Sequence, residues 1–241
     1  MSLEITDLSV KSDGKEVVSN ITFTVNPGQI IAILGSNGAG KSELVLGIAG
    51  MLSASGGRVT VDGTDITGKS PDIVRVAGVA AVPEGHKVLT QLTVDENLRA
   101  AGSLRWSDLE ANLLKTYKRF PELAARKSQL AGTLSGGQQQ MVALAHALMS
   151  APEYLIIDEM SLGLAPLIVK RLFGVVRELQ NQGVGIVLIE QFTDLALSVA
   201  DQAIVLRGGQ SQYIGSASAL LSDPNLLDEA YFGAGHQRAA L

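Results

Sequence analysis

Residues Gln29 to Gly50 read QIIAILGSNGAGKSELVLGIAG, and this stretch restricts the fold more than any other. The apolar run Ile30-Ile31-Ala32-Ile33-Leu34 suits a buried strand. A glycine-rich turn follows, and Lys41-Ser42 then open a segment with Leu44, Leu46, Ile48 and Leu52 at helical spacing. The turn itself, Gly35-Ser36-Asn37-Gly38-Ala39-Gly40-Lys41-Ser42, matches the phosphate-binding P-loop pattern in its strand-to-helix setting. Glycines permit backbone conformations in which successive N–H groups converge on an anion. The helix that follows aims its positive end at the same point. In such a loop Lys41 reaches the β- and γ-phosphates and the Ser42 hydroxyl takes a Mg²⁺ position. The bland alternative, a glycine-rich turn with a surface lysine, accounts for neither the spacing nor the context.

The chain has 241 residues, 46% of them hydrophobic and 18% charged. That composition predicts a folded α/β domain with a sizeable core. A net charge of −5 argues against nucleic acid as a partner. With no cysteine, disulfides and thiolate metal sites are excluded. The N-terminus MSLEITDLSV lacks the basic and apolar regions of a secretion signal. No apolar run approaches the length of a membrane span, so a role at a membrane has to come through partner subunits.

Residues 3–10 and 17–25 alternate apolar and polar and predict antiparallel strands. Gly56-Gly57 punctuate, and Arg58 to Val61 reads as a strand entering a turn at Asp62-Gly63. Val76 to Val82 predicts another buried strand, stopped by Pro83-Glu84-Gly85. From about Thr93 to Ser150 helical spacing dominates, beginning at a capping box, Thr93 to Glu96, and broken at Pro121. Alternation of strand and helix resumes with a strand at Tyr154 to Ile157 and a helix at Leu167 to Gln182. A strand at Gly185 to Ile189 and a helix at Phe192 to Val199 follow. Ala203 to Leu206 and Gln212 to Ile214 read as edge strands, and Leu220 to Tyr231 as a helical tail. The expectation is a single domain over 1–241, an α/β core (about 1–85 and 152–241) interrupted by a helical subdomain (about 86–151). Its main sheet is largely parallel.

A second anion cradle stands at Ser135-Gly136-Gly137-Gln138. Capping-box spacing explains Ser135 and Gln138 but not two glycines in a first helical turn, which weaken a helix. Two cradles leave two options: the chain binds two anions, or two chains share one nucleotide between unlike cradles. Asp158-Glu159 follow a fully apolar strand. At a strand end neighbouring side chains diverge, so one acid can organise Mg²⁺ and the other polarise the attacking water.

Taken together, the P-loop, Leu134-Ser135-Gly136-Gly137-Gln138 and the strand followed by Asp158-Glu159 resemble ABC-type ATPases in order and spacing, along essentially the whole chain. The resemblance implies a head-to-tail dimer in which ATP lies between one subunit's P-loop and the other's Ser135–Gln138 segment. Val82-Pro83-Glu84-Gly85, Leu92 to Leu98, Ser161 to Pro166, Ile189-Glu190-Gln191 and Ala230 to Gly233 resemble the F-type ATPase subunit of branched-chain amino-acid importers. Relatives serving urea or short amides are similar. Implied partners are integral-membrane permease subunits, a second ABC ATPase subunit, equal or unlike, and indirectly an extracytoplasmic solute-binding protein. The implied location is the cytoplasmic face of the cell membrane, peripherally bound. On the same basis ATP and Mg²⁺ are the cofactors. Ser42, Asp158 and Glu84 face the metal, Glu159 is the general base, and Gln191 and Glu84 are accessory catalytic residues. A soluble, non-transport ABC ATPase is the remaining alternative. Departures from the family pattern are Ser12 where an adenine-stacking aromatic is expected, Met160 for proline, His86 for arginine, and Gln191 for histidine. Trp106, His146 and His236 lack ligand spacing and read as structural.

Overall fold

The computed structural model describes residues 1–85 and 87–233, without the side chains of Arg105 and Trp106. Two sheets form the frame. The first holds β1 (Leu3–Ser12), β2 (Lys15–Val25), β4 (Ala54–Val61) and β5 (Thr64–Asp65), antiparallel in the order β2-β1-β4-β5. The second holds β3 (Ile30–Gly35), β6 (Val79–Val82), β7 (Tyr154–Asp158), β8 (Gly185–Ile189), β9 (Gln202–Arg207) and β10 (Gln210–Ser216). Its order is β10-β9-β3-β8-β7-β6, and every neighbouring pair is parallel except β9 with β10.

The unbroken apolar runs of these strands follow from burial on both faces. On β7, Leu155 and Ile157 pack into a core shared with the insert, whereas Tyr154 and Ile156 pack into the core under the antiparallel sheet. Burying one such Leu or Ile side chain is worth about 1.5–3 kcal/mol, so the register of the central strands is strongly fixed. A third cluster joins Ala32 and Leu34 of β3 to Ala203 and Val205 of β9. It lies beneath α8 (Thr193–Val199), α9 (Ala217–Ser222) and α10 (Pro224–Phe232).

Between β6 and β7 the chain is helical: α3 (Val94–Gly102), α4 (Leu109–Arg119), α5 (Pro121–Ala124) and α6 (Gly136–Leu148). Both expected capping boxes are present, at Thr93/Glu96 and Ser135/Gln138. Pro121 both stops α4 and starts α5 at its first position, where its missing N–H costs nothing. The fully buried Asn97 amide hydrogen-bonds Leu89, Leu92 and Thr93 backbone groups at 2.8–3.1 Å. It thereby pins residues 89–93, the approach to the insert from Glu84.

Four local expectations are corrected. Val76 is not the start of a strand but the end of α2 (Pro71–Val76). Pro71 at the first helical position opens that helix, and Gly78 at φ +98 turns the chain before β6. Gly56-Gly57 lie inside β4 rather than before it. At Gly57 (φ +78) a Cβ would stand 2.2 Å from the Asp7 carbonyl, so the glycine makes room for the irregular pairing of β1 with β4. β9 is an interior strand between β10 and β3, because its alternate side chains serve two cores; of these two expected edge strands, β10 alone is one. The tail is two helices, since Asp223 leaves helical geometry and caps α10 through Asn225 and Leu226 N–H groups.

Candidate functional site

At the end of β3 the chain turns through Gly35 and enters α1 (Lys41–Ile48) at Gly40. Gly40 has φ +99, and a Cβ there would lie 2.8 Å from the Val17 carbonyl. A side chain at Gly35 would stand 2.4 Å from the Leu206 carbonyl. Only glycine fits at either end of this loop. Gly40 caps α1 without any side-chain hydrogen bond, which leaves first-turn N–H groups for an anion. Lys41 is 7% exposed, and its ammonium is held in the loop by the carbonyls of Gly35 (2.9 Å) and Ser36 (3.1 Å). An ammonium has three donors, so one remains for a phosphate oxygen.

A cleft of about 340 Å³ opens over this loop. Asn37, Gly38, Gly40, Lys41, Ser42 and Glu43 line one wall, and Glu84, Glu159, Leu162 and Gln191 the other. The structure therefore brings three of the predicted acting side chains, Glu84, Glu159 and Gln191, to the phosphate loop from three separate strand ends. Glu159 leaves the strand direction: its φ is +46, and its N–H donates to the Ile189 carbonyl at 3.0 Å. That left-handed turn, rather than simple strand alternation, separates the two acids.

Asp158 remains buried at 3% exposure, with the Ser42 side chain beside its carboxylate. Its Oδ1 is buried without a partner. Burial, reinforced by the charges of Glu159 and Glu84, pushes the Asp158 carboxyl up to about 6, against the pull of Ser42 and Lys41. A buried acceptor with a lone pair to spare, beside a hydroxyl and a second carboxylate, fits a small hard cation. Among the described residues no three acidic or imidazole groups form a complete cage. Mg²⁺ typically uses one or two carboxylates and completes its shell with water and phosphate, and Asp158, Ser42 and Glu84 can supply the protein share.

The second cradle stands apart. Ser135 and Gly136 at the start of α6 are exposed, and the Ser135 hydroxyl accepts from Gln138 N–H at 3.4 Å. Gly137 is buried beside α7 (Pro166–Asn181), where a Cβ would meet Ile168 Cγ2 at 2.8 Å. None of Ser135, Gly136, Gly137 and Gln138 lines the cleft. Ser12 ends β1 at the hairpin facing Lys15 and offers no ring. Met160 is 1% exposed within the main core, so packing anchors the loop where a proline ring is missing. His86, His236 and the Trp106 side chain lie outside the described residues. His146 lies on α6, where burial, with Arg75 nearby, holds it down to about 4.

One residue escaped the sequence reading of the chemistry. Glu190 is 2% exposed, accepts from the Ser161 hydroxyl, and is pushed up to about 7 by burial. Its signal was an acid directly after the apolar strand Gly185–Ile189, the same pattern that flagged Asp158-Glu159.

The family described as ABC transporter matches residues 18–161. A relative from Pseudomonas aeruginosa, named "High-affinity branched-chain amino acid transport ATP-binding protein BraG", is 38% identical over 90% of this chain and 94% of its own length. A relative from Archaeoglobus fulgidus, "Probable branched-chain amino acid transport ATP-binding protein LivF", is 33% identical over 85% of this chain and 88% of its own. Among solved structures, a nucleotide-free ATP-binding cassette from an ABC transporter superposes with a TM-score of 0.83 at 28% identity, covering 95% of this chain and 98% of that one. The ADP conformation of the cassette MJ1267 superposes with a TM-score of 0.81 at 29% identity and the same coverage.

Proposed function

Because this chain belongs to the ABC transporter family as an ATP-binding cassette, we propose that it is the ATP-hydrolysing subunit of an importer for branched-chain amino acids. The observation that carries the reading is the one-sided cleft. P-loop, Asp158, Glu159, Glu84 and Gln191 meet there, while the Ser135–Gln138 cradle on α6 does not.

An exposed cradle displaced from the cleft suits a site completed by another subunit. ATP binds the P-loop through Lys41 and the first-turn N–H groups of α1. Ser135 and Gly137 of a second ATPase subunit close over the γ-phosphate. Ser42 and Asp158, with Glu84 nearby, would hold a Mg²⁺ ion, which would supply charge stabilisation for the phosphates. Glu159 takes a proton from the attacking water and positions it, and Gln191 donates an amide N–H to a γ-phosphate oxygen. Closing and reopening of the dimer reach the permease subunits through the Glu84 loop and the helical insert. The substrate class comes from the names of the two relatives. Among the described residues no helix is long and apolar enough to cross a membrane, in keeping with a peripheral subunit at the cytoplasmic face.

The test is co-expression with the membrane subunits encoded beside it, followed by purification and uptake in vesicles with the cognate binding protein. Expected is joint purification with hydrophobic subunits and ATP-dependent leucine, isoleucine or valine uptake. Uptake of urea or amides alone overturns the substrate, and a chain that never associates with hydrophobic subunits overturns transport.

A further inference from the structure

Glu190 has no part in the nucleotide chemistry above, yet it sits between the two loops that carry Glu159 and Gln191. Its Oε2 accepts a hydrogen bond from the Ser161 hydroxyl. Its Oε1 is buried without a partner. Among the described residues none of the ion pairs reaches it, and Asp158 and Glu159 add like charge nearby. A carboxylate so placed burdens the fold. A neutral amide or hydroxyl could tie two loops together without that burden.

The geometry shows what the tie holds. Pairing of β7 with β8 ends at Asp158 and Ile189. Beyond it the Glu159 N–H reaches the Ile189 carbonyl, and the Ser161–Glu190 contact is the next link along the same two chains. Between these links Glu159 adopts φ +46, a conformation a non-glycine residue keeps only where its surroundings impose it. Gln191 follows Glu190 directly and faces the same cleft as Glu159. Buried Met160 fills the span between Glu159 and Ser161.

We propose that Ser161 and Glu190 form a positioning pair: their contact locks residues 159–165 to the end of β8 and fixes Glu159 against Gln191 at the phosphate end of the cleft. The pair acts through its neighbours and touches no phosphate. The inference rests on ATP hydrolysis at this site.

The experiment measures Mg·ATP turnover by the assembled complex. Wild type is read first, and a wild type without turnover sinks the parent reading and this inference together. With turnover present, Ser161→Ala and Glu190→Ala should each lower kcat about tenfold or more, since small misplacements of reacting groups are costly. KM for ATP should move less than about threefold. The double variant should be no slower than the worse single one. Ser161→Thr keeps the hydroxyl and should recover most of the rate. Additive losses, an unchanged kcat in Ser161→Ala, a KM that rises as kcat falls, or a Ser161→Thr variant as slow as Ser161→Ala each overturn the pair. If Glu190→Ala gives no cooperative melt, the Ser161→Ala and Ser161→Thr comparison decides alone.

Discussion

Ser42 at the start of α1 stands beside the Asp158 carboxylate at the end of β7 and pulls its pKa down, and the Asp158 Oδ1 atom is buried without a partner. Two strand–helix units thus bring together a hydroxyl and a carboxylate with an unused lone pair. A fold built only for stability would satisfy that oxygen, because a buried unpaired acceptor costs about 1–3 kcal/mol. The cost makes sense if a cation fills the gap during work.

Asp158→Asn follows from this. It removes a buried charge that burial already disfavours, so the nucleotide-free chain should melt at the same temperature or higher. Metal-assisted charge stabilisation is worth several kcal/mol, so Mg²⁺-dependent turnover should fall by about 100-fold or more. Thermal melts with and without Mg·ATP check both halves. Stabilisation of the variant by Mg·ATP equal to that of wild type would remove Asp158 from the metal.

Glu159→Gln should keep the left-handed turn and the N–H bond to Ile189, because both are backbone features. What it loses is the base, worth typically 10²–10⁴ in rate. ATP should therefore hold a dimer that size-exclusion chromatography with light scattering detects, while ADP should not. Turnover within about threefold of wild type defeats the assignment.

Ser12 is the last residue of β1, next to the Asp13-Gly14 turn. Without a ring there, the stacking that adds about 0.5–1.5 kcal/mol for aromatic pairs is lost. ATP and GTP should then bind with affinities within about threefold of each other. Titration of the Glu159→Gln variant with both nucleotides measures the ratio. A tenfold preference for ATP means that another residue holds the base.

The frame was legible where one cause dominated. β3, β7 and β8 are apolar on both faces, and Thr93/Glu96 and Ser135/Gln138 are local caps. The P-loop was readable for the same reason, since Gly35 and Gly40 fill spaces that no Cβ could enter. Features set by distant neighbours were not. α2 is six residues long and ends at Val76, so its apolar last residue merges in sequence with β6. The interior place of β9 depends on β3, some 170 residues earlier in the chain (Asp201 meets Ile30 N–H at a separation of 171). The Lys41 contacts to its own loop and the Ser161–Glu190 bond are tertiary facts without a spacing rule.

Glu190 also gives the chain a pH dependence of definite sign. Burial, outweighing the Ser161 hydrogen bond, raises its pKa from 4.5 to about 7, so the folded state holds the proton more tightly than the unfolded one. Stability from this group is therefore complete below about pH 4.5 and is lost as pH rises through about 7. His146, held down to about 4 chiefly by burial, has the opposite effect, but it is common to wild type and variant. Glu190→Gln is neutral at every pH and keeps an oxygen to accept from Ser161. At pH 8 the variant should melt several degrees above wild type, at roughly 2–4 °C per kcal/mol for a chain of this size. At pH 5 the two should nearly coincide. Melts of the nucleotide-free chain at the two pH values give the result. A variant less stable than wild type at pH 8 means that the ionised carboxylate, despite its burial, is a net stabiliser through Ser161.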